Sequence, residues 1–329
     1  MPESRNNVTC SEGSPIDVGR GPLPCSEHLE SFCRDLSFER NASEHTIRAY
    51  RIDLEDFLRW AQRSKIDPLK AHHKILRRYL GELDRARYQR TTINRRLSSI
   101  RAFYRWLNLN DVIEEDPASV LQGPKVPKRL PKVIRPEEMV RLLGLYSAVD
   151  ALGNSRKRTD EDMRNLALLE FLYACGARVS EASGLTVDRV DFELGQVKVF
   201  GKGSKERIIP LHDMALEAMR EYCLTARQNL LRGKQSEWFF VSSRGNQMGT
   251  DAIRRMFKAS IRAAGLPDDL TPHDMRHTFA TDMLSGGANL RSVQEMLGHA
   301  SLSTTQIYTH ASIERLKSAH AQAHPRASS

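Results

Sequence analysis

The sequence is poor in the features that mark many specialised folds. Its 329 residues hold five cysteines, Cys10, Cys25, Cys33, Cys175 and Cys223, an odd number with no CxxC pair. That pattern fits neither a disulfide framework nor a zinc module, and it reads as reduced, incidental thiols in a cytoplasmic protein. No stretch approaches the apolar length of a membrane span, and residues 1–24, with Pro, Gly, Ser and Asn but no apolar run, are neither signal peptide nor anchor. They read as a disordered leader. No group of Asp, Glu, His or Cys has convincing metal-ligand spacing, and His72-His73 is a surface pair at best. Gly201-Lys202-Gly203 is not a phosphate-binding P-loop, which needs Ser or Thr directly after the lysine and an earlier glycine where Gln196 stands. Nucleotide hydrolysis is thereby disfavoured, no metal or cofactor is expected, and no internal repeat is present.

What the chain does have is size, ordinary apolar content and positive charge. At 329 residues it exceeds the length at which a single core usually stops growing, so two domains are expected. With 40% hydrophobic and 28% charged residues it has enough apolar mass for real cores. A formal net charge of +9 points to a polyanionic partner, although charge alone also fits a basic protein with no nucleic-acid role.

The periodicity organises the chain. After Ser43, the residues Ile47, Tyr50, Leu54, Phe57, Leu58 and Ala61 recur at helical spacing. A second helix is predicted over Thr91–Leu109, with Ile93, Leu97, Ile100, Phe103 and Leu107 on one stripe and Arg95, Arg96, Arg101 and Arg105 on other faces. Beside Tyr104 and Trp106, those arginines suit DNA contacts, or else form a solvated basic face over an ordinary core. Residues 121–135 contain three prolines and five basic residues; they are read as a stiff interdomain linker whose side chains can follow phosphates. The first domain is therefore a helical module over 25–120, and the second occupies 136–329. There Pro136 opens a helix, residues 148–162 form a polar surface loop, and a helix from about Asp162 ends at Gly176. Ser180 is predicted to cap the next short helix. Between Val190 and Leu211 the pattern turns to strands around the Gly201–Lys205 turn, and the remainder is mostly helical. The fold expected is mainly α with a small antiparallel β-sheet.

The last quarter carries the chemistry. Thr271-Pro272-His273-Asp274 reads as a helix start with Thr as N-cap, Pro first and Asp third, which puts His273 in the first turn, where backbone N–H groups attract phosphate. Arg276 shares its face three residues on. Taken alone, these two also fit a capped surface helix. Gly298-His299-Ala300-Ser301 resembles a helix end and turn, and Tyr308 lies in Ser303–His310, a run too polar for a buried segment. An exposed phenol, two histidines and an arginine suit chemistry on a phosphodiester. Arg178 sits in the junction Gly176-Ala177-Arg178-Val179-Ser180-Glu181, with Glu181 near enough to orient a basic neighbour, and flanking glycines let Lys202 approach a ligand closely.

Arg178, Lys202, His273, Arg276, His299 and Tyr308 occur in the order and spacing of the tyrosine recombinases. The words Ala-Arg-Val-Ser-Glu, Gly-Lys-Gly-Ser-Lys-Glu-Arg, Arg-His-Thr-Phe-Ala-Thr, Leu-Gly-His-Ala-Ser-Leu-Ser-Thr-Thr-Gln-Ile-Tyr-Thr-His and the terminal His-Pro-Arg-Ala resemble the Xer branch, over residues 25–326. The leader and the 148–162 loop depart from that pattern. The resemblance implies a helical N-terminal core-binding domain joined to an α+β catalytic domain. It implies that Tyr308 attacks the scissile phosphate, Arg178, Arg276 and His299 hold its oxygens, Lys202 protonates the leaving 5′-oxygen, and His273 moves the tyrosine proton. Double-stranded DNA is the implied partner, with a second Xer-type recombinase or the chain itself in a tetramer on two duplexes. A septal DNA translocase as activator and chromosome-dimer resolution at cell division are also implied. The final helix, through Ile313, Leu316 and Ala319, is expected to dock on a neighbouring protomer. A type IB topoisomerase, a phage or mobile-element integrase and a non-catalytic architectural protein are the alternatives.

Overall fold

The structure, a computed structural model, describes residues 23–38, 44–127, 132–149, 155–201, 206–298 and 310–327. The chain divides into two compact units, Met1–Lys128 and Arg129–Ser329. The division falls inside the proline-containing stretch, whose Leu121 is buried in the first core and Ile134 in the second.

The first unit is helical: α1 (Ser26–Phe38), α2 (Glu44–Arg63), α3 (His73–Arg85) and α4 (Arg90–Leu109), with a short 3₁₀ turn at Pro68–Lys70. Each long helix turns an apolar stripe inward, and aromatic rings fill the centre. Phe32 meets Phe103 edge-on at 5.5 Å, and Phe57 meets Tyr79 at 5.2 Å.

Three of the α4 arginines are engaged within their own unit. Arg95 pairs with buried Asp53, Arg96 with Asp56 and the Tyr79 hydroxyl, and Arg101 donates to the Leu121 carbonyl. Tyr104 and Trp106 are buried, donating to the Pro68 carbonyl and to Asp35. The reason is packing: α2 presents Asp53 and Asp56 to α4, and the buried Asp53 carboxylate requires a cationic partner. Of the four arginines, Arg105 is the exposed one with no such engagement among the described residues.

The second unit is built on α6 (Asp160–Cys175), whose residues from Ala167 to Cys175 are all buried. A helix apolar on every side must be covered on every side. The covering elements are α5 (Pro136–Gly144), α7 (Val179–Ser183), α8 (Asp213–Glu221), a π-helical turn at Tyr222–Ala226, α9 (Arg227–Leu231), α10 (Thr250–Ala263), α11 (Pro272–Ser285), α12 (Leu290–Leu297) and α13 (His310–Ala323). Strands β1 (Val190–Asp191), β2 (Gln196–Phe200) and β3 (Glu206–Pro210) form an antiparallel sheet in sequence order. Its register sets Val197 opposite Ile209 and Val199 opposite Arg207. The mainly helical fold with a small antiparallel sheet is as the sequence predicts.

Two local expectations are corrected. Helix α6 starts at Asp160 rather than Asp162, because Thr159 caps it through the Asp162 amide at 3.1 Å. Helix α7 is capped at Arg178 rather than Ser180, because the Glu181 carboxylate reaches back to the Arg178 amide at 2.8 Å. Of the α13 stripe Ile313, Leu316 and Ala319, Leu316 is buried within its own unit, where α13 packs on β3, α11 and α12. Exposed apolar area is most simply removed by the nearest apolar surface. Among the described residues no helix is long and apolar enough to cross a membrane.

Candidate active site

Helix α6 stops at Gly176, whose φ of +56° turns the chain left-handed. A Cβ there would lie 2.5 Å from the Phe279 ring, so the turn requires glycine on both conformational and steric grounds. Two residues later Arg178 begins α7. Its guanidinium remains about two-fifths exposed while Nη1 donates to Glu181 Oε1 at 2.9 Å.

Helix α11 supplies the opposing groups. As predicted, Thr271 is its N-cap, Pro272 its first residue and Asp274 its third, with Asp274 Oδ2 accepting from the Thr271 amide at 2.8 Å. His273 therefore stands in the first turn. Its basicity is held below the usual imidazole range, first by desolvation and then by the charges of His277, Arg276 and Arg178. A ring neutral near neutral pH can accept a proton. His277 stacks edge-on against it at 4.5 Å.

Arg276 is buried, yet among the described residues it has no carboxylate in contact. It donates from Nη1 to the Gly176 carbonyl at 2.6 Å and from Nη2 to the Leu297 carbonyl at 2.5 Å. The guanidinium is thus clamped between the ends of α6 and α12. Burial, followed by the like charge of Arg178, pulls its pKa down to about 10, which leaves it cationic. A desolvated cation held by neutral carbonyls beside a second arginine is a site in want of an anion. Arg178, His273 and Arg276 are therefore within electrostatic reach of one another.

A residue that sequence reasoning passed over completes the arrangement. Arg207 on β3 is buried and grips Glu181 with both prongs, Nη1 to Oε1 and Nη2 to Oε2, each at 2.8 Å. Its Nε donates to the Met296 carbonyl at 2.7 Å. Gly298 (φ +64°) closes α12 directly over this side chain, and a Cβ there would meet Arg207 at 3.2 Å. Glu181, expected only to orient a basic neighbour, orients two and is held below the normal carboxylate range by them despite its burial. The alternation of β3 carried a signal: Arg207 stands two residues before Ile209 on its buried face. Lys202, His299 and Tyr308 lie outside the described residues. Lys202 belongs to the connection between β2 and β3, His299 follows Gly298, and Tyr308 precedes α13 by two residues.

The comparisons with known proteins point to one family. Residues 132–315 match the phage integrase family, and residues 29–110 match the phage integrase N-terminal SAM-like domain. Tyrosine recombinase XerD of Yersinia pestis is 40% identical over 301 residues, spanning 91% of this chain and 97% of the relative. Tyrosine recombinase XerC of Myxococcus xanthus is 40% identical over 306 residues, spanning 91% and 98%. The chain belongs to the phage integrase family of tyrosine recombinases. The recombinase, of the Xer type that the sequence resembled, is a site-specific enzyme that cleaves and rejoins DNA. Solved structures share its fold. XerH recombinase bound to a palindromic difH substrate in a post-cleavage complex superposes with a TM-score of 0.66 at 24% identity, over 89% of this chain and 83% of that one. The Tn1549 transposon integrase with transposon right-end DNA gives 0.65 at 18% identity, over 87% and 97%.

Proposed function

We propose that the recombinase cuts DNA through a covalent tyrosyl intermediate. The Tyr308 oxygen attacks the scissile phosphorus as the bond to the 5′-oxygen breaks, leaving a 3′-phosphotyrosyl link and a free 5′-hydroxyl. Arg178 and Arg276 hold the non-bridging oxygens, their planar forks matching phosphate geometry, and His299 adds a hydrogen bond. Lys202 delivers the proton to the leaving oxygen. His273, at an exposed helix start with a depressed pKa, takes the phenolic proton. Because the phosphotyrosyl bond retains the energy of the broken one, rejoining needs no ATP. The observation that carries this reading is Arg276, a buried cation between two helix ends with Arg178 as its electrostatic neighbour.

The helical unit over 25–120 serves as the core DNA-binding domain and 136–329 as the catalytic domain, joined by the basic segment 121–135. Double-stranded DNA is the substrate, with four protomers on two duplexes, formed by this chain alone or with a second Xer-type partner. The Xer names of the relatives fit a role in resolving chromosome dimers at cell division. Action in the cytoplasm, with a septal DNA translocase as activator, completes the proposal.

Covalent trapping tests the reading. The protein is incubated with nicked host genomic DNA and denatured, and the protein-linked fragments are sequenced, with Tyr308→Phe in parallel. Adducts that vanish in the variant and cluster at one locus support it. Scattered adducts would identify a relaxing topoisomerase, adducts at a mobile-element junction an integrase, and binding without adducts an architectural protein.

A further inference from the structure

Three buried histidines take no part in the chemistry above. His212 follows β3, His320 lies near the end of α13 and His324 just beyond it. Their rings form one pile: His320 stacks on His324 at 4.8 Å, and His212 lies 4.7 Å from His324.

Four ring nitrogens have hydrogen-bond partners, and His212 Nε2 is buried without one. His320 Nε2 lies 2.8 Å from the Ala174 carbonyl, and His324 Nε2 lies 3.4 Å from that of Tyr173. His324 Nδ1 accepts from the Arg326 amide at 3.3 Å, so the proton of the neutral ring is on Nε2 and points at Tyr173. His212 Nδ1 likewise accepts from the Ala215 amide at 3.1 Å, and its Nε2 lies 3.8 Å from Glu170 Oε2. The other Glu170 oxygen accepts from Arg326 Nη2 at 2.7 Å.

The carbonyls concerned belong to the last turn of α6, where a helix runs out of its own donors. The chain turns left-handed at Gly176, two and three residues on. The Gly176 carbonyl is the one that holds Arg276. At its other end, α13 begins two residues after Tyr308.

We propose that His320 and His324 are positioning residues for DNA cleavage. They cap the carbonyl end of α6, which fixes the Gly176 turn and its arginines, and they anchor to that turn the helix that follows Tyr308. This rests on the tyrosyl reading above. An apolar side chain could fill the space of either ring but would strand a buried carbonyl without a donor. A glutamine can place its amide nitrogen near the position of Nε2 and keep the bond.

The test uses the full-length protein with His320→Leu and His320→Gln. Two quantities are measured: duplex affinity, and the single-turnover rate of adduct formation at saturating DNA. The substrate is a nicked duplex carrying the sequence that genomic trapping recovers. His320→Leu is expected to slow adduct formation about tenfold, the worth of one buried hydrogen bond, with duplex affinity unchanged. His320→Gln is expected to restore the rate. Parental cleavage by His320→Leu, or equal slowing by Leu and Gln, overturns the proposal. If His320→Leu does not fold, His324→Gln and His324→Met replace the pair: cleavage kept by Gln and lost by Met supports the cap, and equal rates overturn it. Absence of any Tyr308-dependent adduct from the parent protein would count against the tyrosyl reading, and so is distinguishable from failure of the cap.

Discussion

Arg207 and Glu181 form a closed two-pronged ion pair, with both N···O distances 2.8 Å and both side chains sealed from solvent. Through Glu181 the pair reaches the Arg178 amide and guanidinium, and through Nε it reaches the end of α12. One side chain on β3 therefore ties together α7, β3 and the turn that leads to His299.

Replacing Arg207 by methionine should destabilise the protein by about 3 kcal/mol, because Glu181 stays buried with only Arg178 as partner. The double variant Arg207→Met/Glu181→Met should recover much of that loss. Urea unfolding of the two single variants and the double variant measures the coupling; strictly additive losses would contradict a specific pair.

Arg276→Ala should slow adduct formation by on the order of 10²-fold, in line with the loss of one preorganised contact to a developing charge. Duplex affinity should change far less. A variant that binds poorly but cleaves normally once bound would remove Arg276 from the chemistry.

Gly176→Ala combines a left-handed φ with a Cβ placed 2.5 Å from the Phe279 ring. A non-glycine residue in that region costs about 1–2 kcal/mol before any clash is counted. The unfolding midpoint should fall clearly, and Gly176→Ala/Phe279→Leu should recover part of the loss by making room.

Stability should fall on acidification. Desolvation, reinforced by neighbouring positive charge, lowers the pKa of His212 to about 3 and of His324 to about 2, and desolvation lowers that of His320 as well. A depressed folded-state pKa means the unfolded chain binds the proton first. The contribution is thus present above pH about 6.5 and is lost as pH falls, reaching about 2 kcal/mol at pH 5 for a single fully protected ring. Glu170 opposes this: desolvation raises its carboxyl to about 7, so its contribution is present at low pH and is lost as pH rises from about 4.5 through 7. Between pH 7 and 5, His324→Gln should make the loss of stability shallower and Glu170→Gln should make it steeper. Parallel pH profiles for both variants and the parent would show that the cluster does not set the slope.

Local rules were readable from the chain because they need only neighbours in sequence. The cap at Thr271 with Pro272 and Asp274, the glycine stop at Gly176 and the strand pair around 201–205 are each specified within a few residues. The word order from Arg178 to Tyr308 identified the family for a similar reason, since each motif is short and contiguous. Pairings across the fold were not readable. Asp53 and Asp56 meet Arg95 and Arg96 some forty residues away, so a face that reads as free for phosphate is partly occupied. Arg207 looked like one more basic residue on a short strand, because its partners Glu181 and Met296 lie 26 and 89 residues away.

The sequence by itself determined the elements, their order and the family, because propensity, capping and motif spacing act over one or two turns of chain. Only the tertiary structure decided which charges are neutralised and which wait for an anion. It made Arg276 a buried cation bonded to carbonyls, Arg207 the hub of an ion pair, and His320 and His324 the cap of a distant helix. Burial is a property of the assembled fold, and burial sets the strength and sign of every electrostatic effect in the site.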